Sequence, residues 1–201
     1  MPELPEVETV RRSLEPSILG QFVRHVILDT PSVWRGADPD TVTGLRITFS
    51  KRRGKYLLFF LEPAGTEGLA YWLVVHLRMT GRLTLQGSPD PVRLHTHVRI
   101  ELGGKTPQPV WLIFQDTRRF GHFSLVPAQS ADQLPDVLPC LGPEPLDAAF
   151  DAKVLGRQLF GHGRLNLKAA LLNQAIVAGI GNIYADEILF ASRLAPDRLA
   201  G

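Results

Sequence analysis

From residue 22 to about residue 127 the sequence runs in short alternations of apolar and polar positions: FVRHVIL, GLRITFS, KYLLFFLE, YWLVVHLRM, THVRIELG, PVWLIFQD and GHFSLVP. Gly, Pro, Asp and Ser clusters separate them. A period of two places successive side chains on opposite faces, so each run predicts a strand with one face to bury. Several short strands at this spacing point to an antiparallel sandwich or barrel. Ahead of them Val7, Val10, Leu14 and Ile18 recur at helical spacing, which predicts an amphipathic helix over residues 5–18 ended by Gly20.

The period then changes. Pro127, Pro135, Pro139, Pro143 and Pro145 break regular structure. Beyond them residues 147–160, 166–176 and 182–193 fit helices. The expected architecture is α+β and multidomain: an antiparallel β-sandwich with its N-terminal helix over 1–128, a linker over 129–146, and an incomplete helical domain over 147–201. Glycines 179 and 181 join the last two helices, and Asn182 is placed to cap the last one.

Composition mainly excludes. With 201 residues, 44% of them hydrophobic and 21% charged, the chain can bury one good core or two modest ones and is not of the disordered class. Its longest apolar run, LAYWLVVHL at 69–77, is too short for a membrane helix, and the N-terminus lacks a signal peptide's pattern, so a cytoplasmic protein is expected. One cysteine, Cys140, rules out an internal disulfide and an all-cysteine zinc site, and is expected to be packed. A net charge of +2 says little about nucleic acid, but RITFSKRRGK at 46–55 gathers Arg46, Lys51, Arg52, Arg53 and Lys55 around Gly54. Such a cluster is either a solvated loop or a phosphate-tracking one.

The N-terminus carries the chemistry. If Met1 is trimmed, Pro2 becomes a secondary amine next to Glu3 and Glu6. An α-amino group titrates near ~8, far below lysine, and unprotonated amines form Schiff bases. Pro5 reads as a first-turn helix residue, and the glutamates also suit the positive end of a helix dipole.

Five strings together carry a resemblance: MPELPEVETV at the start, RGKYLLF at 53–59, HLRMTGRL at 76–83, QDTRRFG at 115–121 and KAALLNQAIVAGIGNIYADEILF at 168–190. The chain resembles the bacterial formamidopyrimidine-DNA glycosylases, with a helix-two-turn-helix element shared with endonuclease VIII. The resemblance implies that Pro2 is the Schiff-base nucleophile, Glu3 the proton donor, Glu6 the residue that orients the amine and supports the first turn, and Lys55 a charge at the DNA backbone. It implies that Met79, Arg118 and Phe120 fill the space of a flipped nucleotide, with Arg118 facing the orphaned cytosine. His76, Lys168 and Asn182 fall against DNA by the same match. Singly, Met79 and Phe120 read as core residues; the joint match favours insertion.

Arg78 stands where that family often has glycine, and Asn173 where it more usually has aspartate. His95 and His97 lie two apart, the spacing of a strand-face metal pair, but with no third ligand nearby they are read as hydrogen-bonding or DNA-adjacent, His95 against DNA. The expected partner is duplex DNA containing oxidised bases or abasic sites, bound by a monomer with no membrane. The chain itself is expected to encode no cofactor. One zinc is implied only if a C-terminal zinc finger exists beyond residue 201. The alternatives are an endonuclease VIII-like glycosylase for oxidised pyrimidines, disfavoured by Leu4 and TRRFG, and a non-catalytic damaged-DNA-binding module.

Overall fold

The structure is a computed structural model describing residues 1–65, 67–90, 92–104 and 108–201. The chain divides into two compact units: Met1–Arg52 with Tyr56–Val137, and Arg53–Lys55 with Leu138–Gly201.

The first unit begins with helix α1, Leu4–Ile18. Glu3 and Glu6 form a reciprocal capping box at its start, with the Glu3 N–H donating to Glu6 Oε2 at 2.8 Å, and Pro5 sits in the first turn where its missing N–H costs nothing. Leu4, Val7, Leu14 and Ile18 are its buried face. Gly20, at φ +84°, turns the chain into the sheet.

Among the described residues nine strands follow: β1 (Phe22–Leu28), β2 (Trp34–Gly36), β3 (Arg46–Arg53), β4 (Tyr56–Glu62), β5 (Ala70–His76), β6 (Arg82–Gln86), β7 (Thr96–Gly103), β8 (Val110–Gln115) and β9 (His122–Ala128). They form one mixed sheet in the order β2-β9-β5-β4-β3-β1-β7-β8-β6, in which β2 pairs parallel to β9. The pairs β1·β7, β4·β5, β5·β9, β6·β8 and β7·β8 are antiparallel.

β8 and β9 lie near opposite ends of that order, yet Phe114 and Phe123 meet edge to face with ring centroids 5.2 Å apart. The sheet therefore folds over itself as a sandwich, and Val7, Leu14 and Ile18 join its core. Each large side chain withdrawn fully from water, such as Phe114 or Leu57, contributes about 1.5–3 kcal/mol.

Seven expected strands are present. β2 and β6 are additional to them, and β2 makes the sheet mixed rather than wholly antiparallel. His95 and His97 do not share a strand face. His95 precedes β7 in a left-handed turn at φ +66°, and the register of β7 against β8 shifts between Thr96 and Val98.

In the second unit α2 spans Ala152–Phe160, α3 Leu167–Leu172 and α4 Asn182–Ser192. The first is shorter than the expected 147–160 because Asp151, not a residue near 147, is its cap and accepts the Val154 N–H at 2.7 Å. Asn166 caps α3 by accepting the Ala169 N–H. α3 ends at Leu172 because Asn173 turns the chain, its Oδ1 accepting the Ala175 N–H at 3.0 Å. The N-cap of α4 is Gly181, and Asn182 is the first helical residue rather than the cap. Leu167, Leu171, Val177, Ile180, Ala185 and Leu189 close this unit's core. Cys140 is exposed, not packed, because the proline-broken segment that carries it lays the side chain outward.

Candidate active site

In the first unit a cleft of about 470 Å³ is lined by Pro2, Met79, Thr80, His95, Gln115 and Thr117 among others. Pro2 is half-buried, and Glu3 behind it is only 2% exposed. The capping box fixes both glutamates, so the helix start that reads as punctuation also fixes where the proline points. The secondary amine forms when Met1, itself exposed, is removed.

Two loops furnish the cleft's rim. Residues 77–81 turn back through a Gly81 N–H to Leu77 O bond of 3.0 Å, a turn that needs Gly81, since a Cβ there would lie 2.3 Å from Leu77 O. Arg78 sits in this turn at φ +55°, a left-handed conformation that glycine adopts freely and arginine at a cost of about 1–2 kcal/mol. Met79 emerges 44% exposed. The second loop follows β8: Arg119 is left-handed at φ +54°, Phe120 is 50% exposed, and the Arg118 guanidinium lies 4.8 Å from the Phe120 ring centroid. An exposed methionine and phenylalanine on adjacent tight loops are not core residues.

His76, at the end of β5, is buried. The Arg78 N–H donates to its Nδ1 at 2.9 Å, which in the neutral ring leaves Nε2 as the donor. Tyr56 packs edge-on against it at 4.5 Å, and His122 stacks on it at 5.8 Å. Burial holds the His122 imidazole below its ordinary pKa, with Arg35 and Arg78 acting in the same direction. Burial likewise raises the Tyr56 phenol, against the pull of the same two arginines. His97 is a buried structural residue, bonded through Nδ1 to Thr30 Oγ1 at 2.9 Å and through Nε2 to Asp116 O at 2.7 Å. Among the described residues no group of three or more His, Cys, Asp or Glu is placed to hold a metal ion.

The basic cluster at 46–55 is largely pinned rather than solvated. Arg52 lies 3.3 Å from Glu8 within the first unit. In the second unit Arg53 pairs with Glu144 at 2.7 Å and donates to the carbonyls of Leu141 and Gly142. Glu144 also accepts the Gly54 N–H at 2.6 Å, fixing the turn from which Lys55 projects. Lys55 is buried, and its ammonium donates to Ile180 O at 2.8 Å. Gln174 reaches the same carbonyl at 2.8 Å and accepts the Gly179 N–H, which ties together the turn before α4. Asn182 stands exposed at the start of α4, while Lys168 is engaged with Asp186 at 2.6 Å. The Asn173 side chain accepts the Ala175 N–H through Oδ1, a task that aspartate performs equally, so its substitution is structurally mild.

Asp116, Gln174 and Glu144 carry no role in the sequence reading. Asp116 is visible as the aspartate of QDTRRFG, five residues before a glycine, a common Asx-turn composition.

The fold and site define a class of protein in which a helix start brings Pro2 to a cleft of a β-sandwich, with Glu3 buried behind it and Met79 exposed on the rim. Residues 1–123 match the family profile described as the formamidopyrimidine-DNA glycosylase N-terminal domain, and residues 141–201 match its H2TH domain. Formamidopyrimidine-DNA glycosylases of Desulfitobacterium hafniense and Moorella thermoacetica are 45% and 48% identical over all of this chain and 70% of their own. A Lactococcus lactis Fpg mutant in complex with Fapy-dG-containing DNA superposes with a TM-score of 0.82 at 36% identity, covering 99% of this chain and 70% of that one. The MutM (Fpg) protein of Thermus thermophilus gives 0.77 at 43% identity, covering 99% and 67%. The chain belongs to the formamidopyrimidine-DNA glycosylase family.

Proposed function

We propose that this protein is a base-excision-repair glycosylase that removes oxidised purines from duplex DNA and cleaves the strand through an imine on Pro2. The observation that carries the reading is the cleft, which sets Pro2 in the same cavity as Met79 and His95 with Glu3 buried directly behind.

An α-amino group titrates well below a lysine side chain, so a share of such amines is unprotonated near neutral pH. The free amine attacks C1′ of the damaged nucleoside; the N–C1′ bond forms as the C1′–base bond breaks, and the base leaves with a proton. Glu3 protonates the ring oxygen, the sugar opens, and the nitrogen lone pair completes a cationic imine. Loss of a C2′ proton expels the 3′ phosphate, a second elimination expels the 5′ phosphate, and water releases the sugar fragment.

Met79, Arg118 and Phe120 would occupy the vacated stack, offsetting part of the few kcal/mol that flipping costs. Lys55, His76, His95, Lys168 and Asn182 would meet the backbone, and Glu6 would hold the helix start that aims the amine. On this reading residues 1–128 form the catalytic domain and 147–201 the helix-two-turn-helix domain. The matching relatives are bacterial, and action on bacterial DNA in the cytoplasm follows from the same reading. No helix among the described residues is long and apolar enough to cross a membrane.

The test is a duplex with a single 8-oxoguanine opposite cytosine. Wild type should excise the base and leave a one-nucleotide gap with phosphate at both ends. Pro2→Gly should lose strand scission while still binding a tetrahydrofuran abasic-site duplex. Unchanged scission in that variant refutes the nucleophile assignment.

A further inference from the structure

The two wedge loops are chemically joined, and one residue joins them. Asp116, 1% exposed at the end of β8, uses both carboxylate oxygens. Oδ1 accepts the Thr80 hydroxyl from the Met79 loop and, at 3.1 Å, the Arg118 N–H; Oδ2 accepts the Gly121 N–H at 2.7 Å. Its main chain extends the junction: its N–H donates to His95 O at 3.0 Å, and its carbonyl accepts from His97 Nε2 and from the Arg119 N–H. One buried side chain thus ties the Met79 turn to the loop of Arg118 and Phe120.

A buried carboxylate that accepts three hydrogen bonds is a rigid junction, because moving either loop away strands a charge in the interior. These bonds outweigh burial, which alone would raise the carboxyl, and they hold it below its ordinary pKa. Thr80 makes the one bond in this set that crosses from one loop to the other through side chains alone.

We infer that Asp116, with Thr80 as its tether, is a positioning residue that couples the two loops so that Met79 and the Arg118–Phe120 pair insert into DNA as one unit. The inference rests on the proposed glycosylase reading. It assigns to Thr80, on the Met79 loop, control over a property of Arg118, on the other: discrimination of the base opposite the lesion. A residue that only stabilised the fold would not move that ratio.

The experiment uses the full chain with Thr80→Val, Thr80→Ser and Asp116→Asn, each checked for folding by its urea midpoint. The first readout is amide exchange over residues 117–121, which needs no DNA. The second is affinity for tetrahydrofuran-site duplexes carrying cytosine or adenine opposite. Thr80→Val should speed exchange of the Arg118 and Gly121 amides, weaken binding about tenfold, the scale of one charge-assisted hydrogen bond, and bring the cytosine-to-adenine ratio toward one. Thr80→Ser should restore all three. Should Thr80→Val fail to fold, Asp116→Asn, which keeps the shape and replaces one acceptor oxygen by a donor, must show the same pattern.

Wild-type exchange and an unchanged ratio in a folded Thr80→Val protein would overturn the coupling. A wild-type chain with no preference for the abasic-site duplex would refute the glycosylase reading and with it the claim of joint insertion. Exchange over 117–121 in Thr80→Val would then still uphold or overturn the tether between the loops.

Discussion

Gly121 should be among the least replaceable glycines of the first unit, and the reason is geometric. A Cβ built on it would lie 2.6 Å from Phe114 Cζ, 3.1 Å from His76 O and 3.2 Å from Asp116 Oδ2. Phe114 cannot retreat, since it is wholly buried with Phe123 5.2 Å and His97 6.4 Å from its ring centre. Overpacking of this kind costs about 1–3 kcal/mol, and pushing the loop outward also weakens a charge-assisted hydrogen bond to Asp116. Gly121→Ala should therefore cost about 2–4 kcal/mol, or roughly 5–15 °C of melting temperature for a chain of this size.

Gly87→Ala is the matched control. Nothing lies within 4 Å of its Cβ position and its backbone is not left-handed, so the change should stay within about 0.5 kcal/mol. All three tryptophans, Trp34, Trp72 and Trp111, lie in the first unit, so fluorescence-monitored urea unfolding reports on the unit concerned. A Gly121→Ala cost below about 1 kcal/mol, or an equal cost at Gly87, would refute the packing argument.

Because the folded state holds the His122 imidazole below its ordinary pKa, the unfolded chain binds the extra proton first as pH falls past about 6.5. Its contribution is full above that pH and is lost toward the lower folded value, with a slope of up to about 1.4 kcal/mol per pH unit that His122→Phe should remove in urea titrations. Lys55→Met should leave stability nearly unchanged, because Ile180 O keeps its bond from Gln174. If Lys55 meets one phosphate, the same change lowers the magnitude of the log K against log salt slope by about one, and an unaltered slope would remove Lys55 from the interface.

Strong periodicity made most of the fold legible. The seven longer strands and α1 announce themselves through patterned burial. β2 is only three residues long, ends in glycine, and pairs with a strand almost ninety residues later, so no local pattern could reveal it. β6 does alternate, but it begins immediately after Gly81 and reads as the tail of a loop. The His95 and His97 spacing failed because His95 precedes β7 in a left-handed turn and the register shifts between Thr96 and Val98, whereas a period of two holds only along an unbroken strand.

The candidate site divides the same way. Pro2 and Met79, which line the cleft, and Phe120, exposed on the neighbouring loop, belong to contiguous strings. Asp116, which braces the Met79 and Phe120 loops, bonds a main-chain N–H only five residues on, and Gln174 does the same in the second unit, so their spacing is local but their composition ordinary. Glu144 meets the Gly54 N–H from ninety residues away, and no local pattern marks that partner. Arg78 is a further case. Only the observed left-handed backbone explains why glycine suits that position.

The central claim is that the amine of Pro2 is the atom that reaches the sugar. Reduction with borohydride during reaction with an abasic-site duplex, followed by nuclease and protease digestion and mass mapping, tests it at the atom concerned. The account predicts one adduct, on an N-terminal peptide that begins at Pro2 and carries a reduced sugar fragment on its nitrogen. Strand scission without an adduct, or an adduct confined to a lysine side chain, would contradict it.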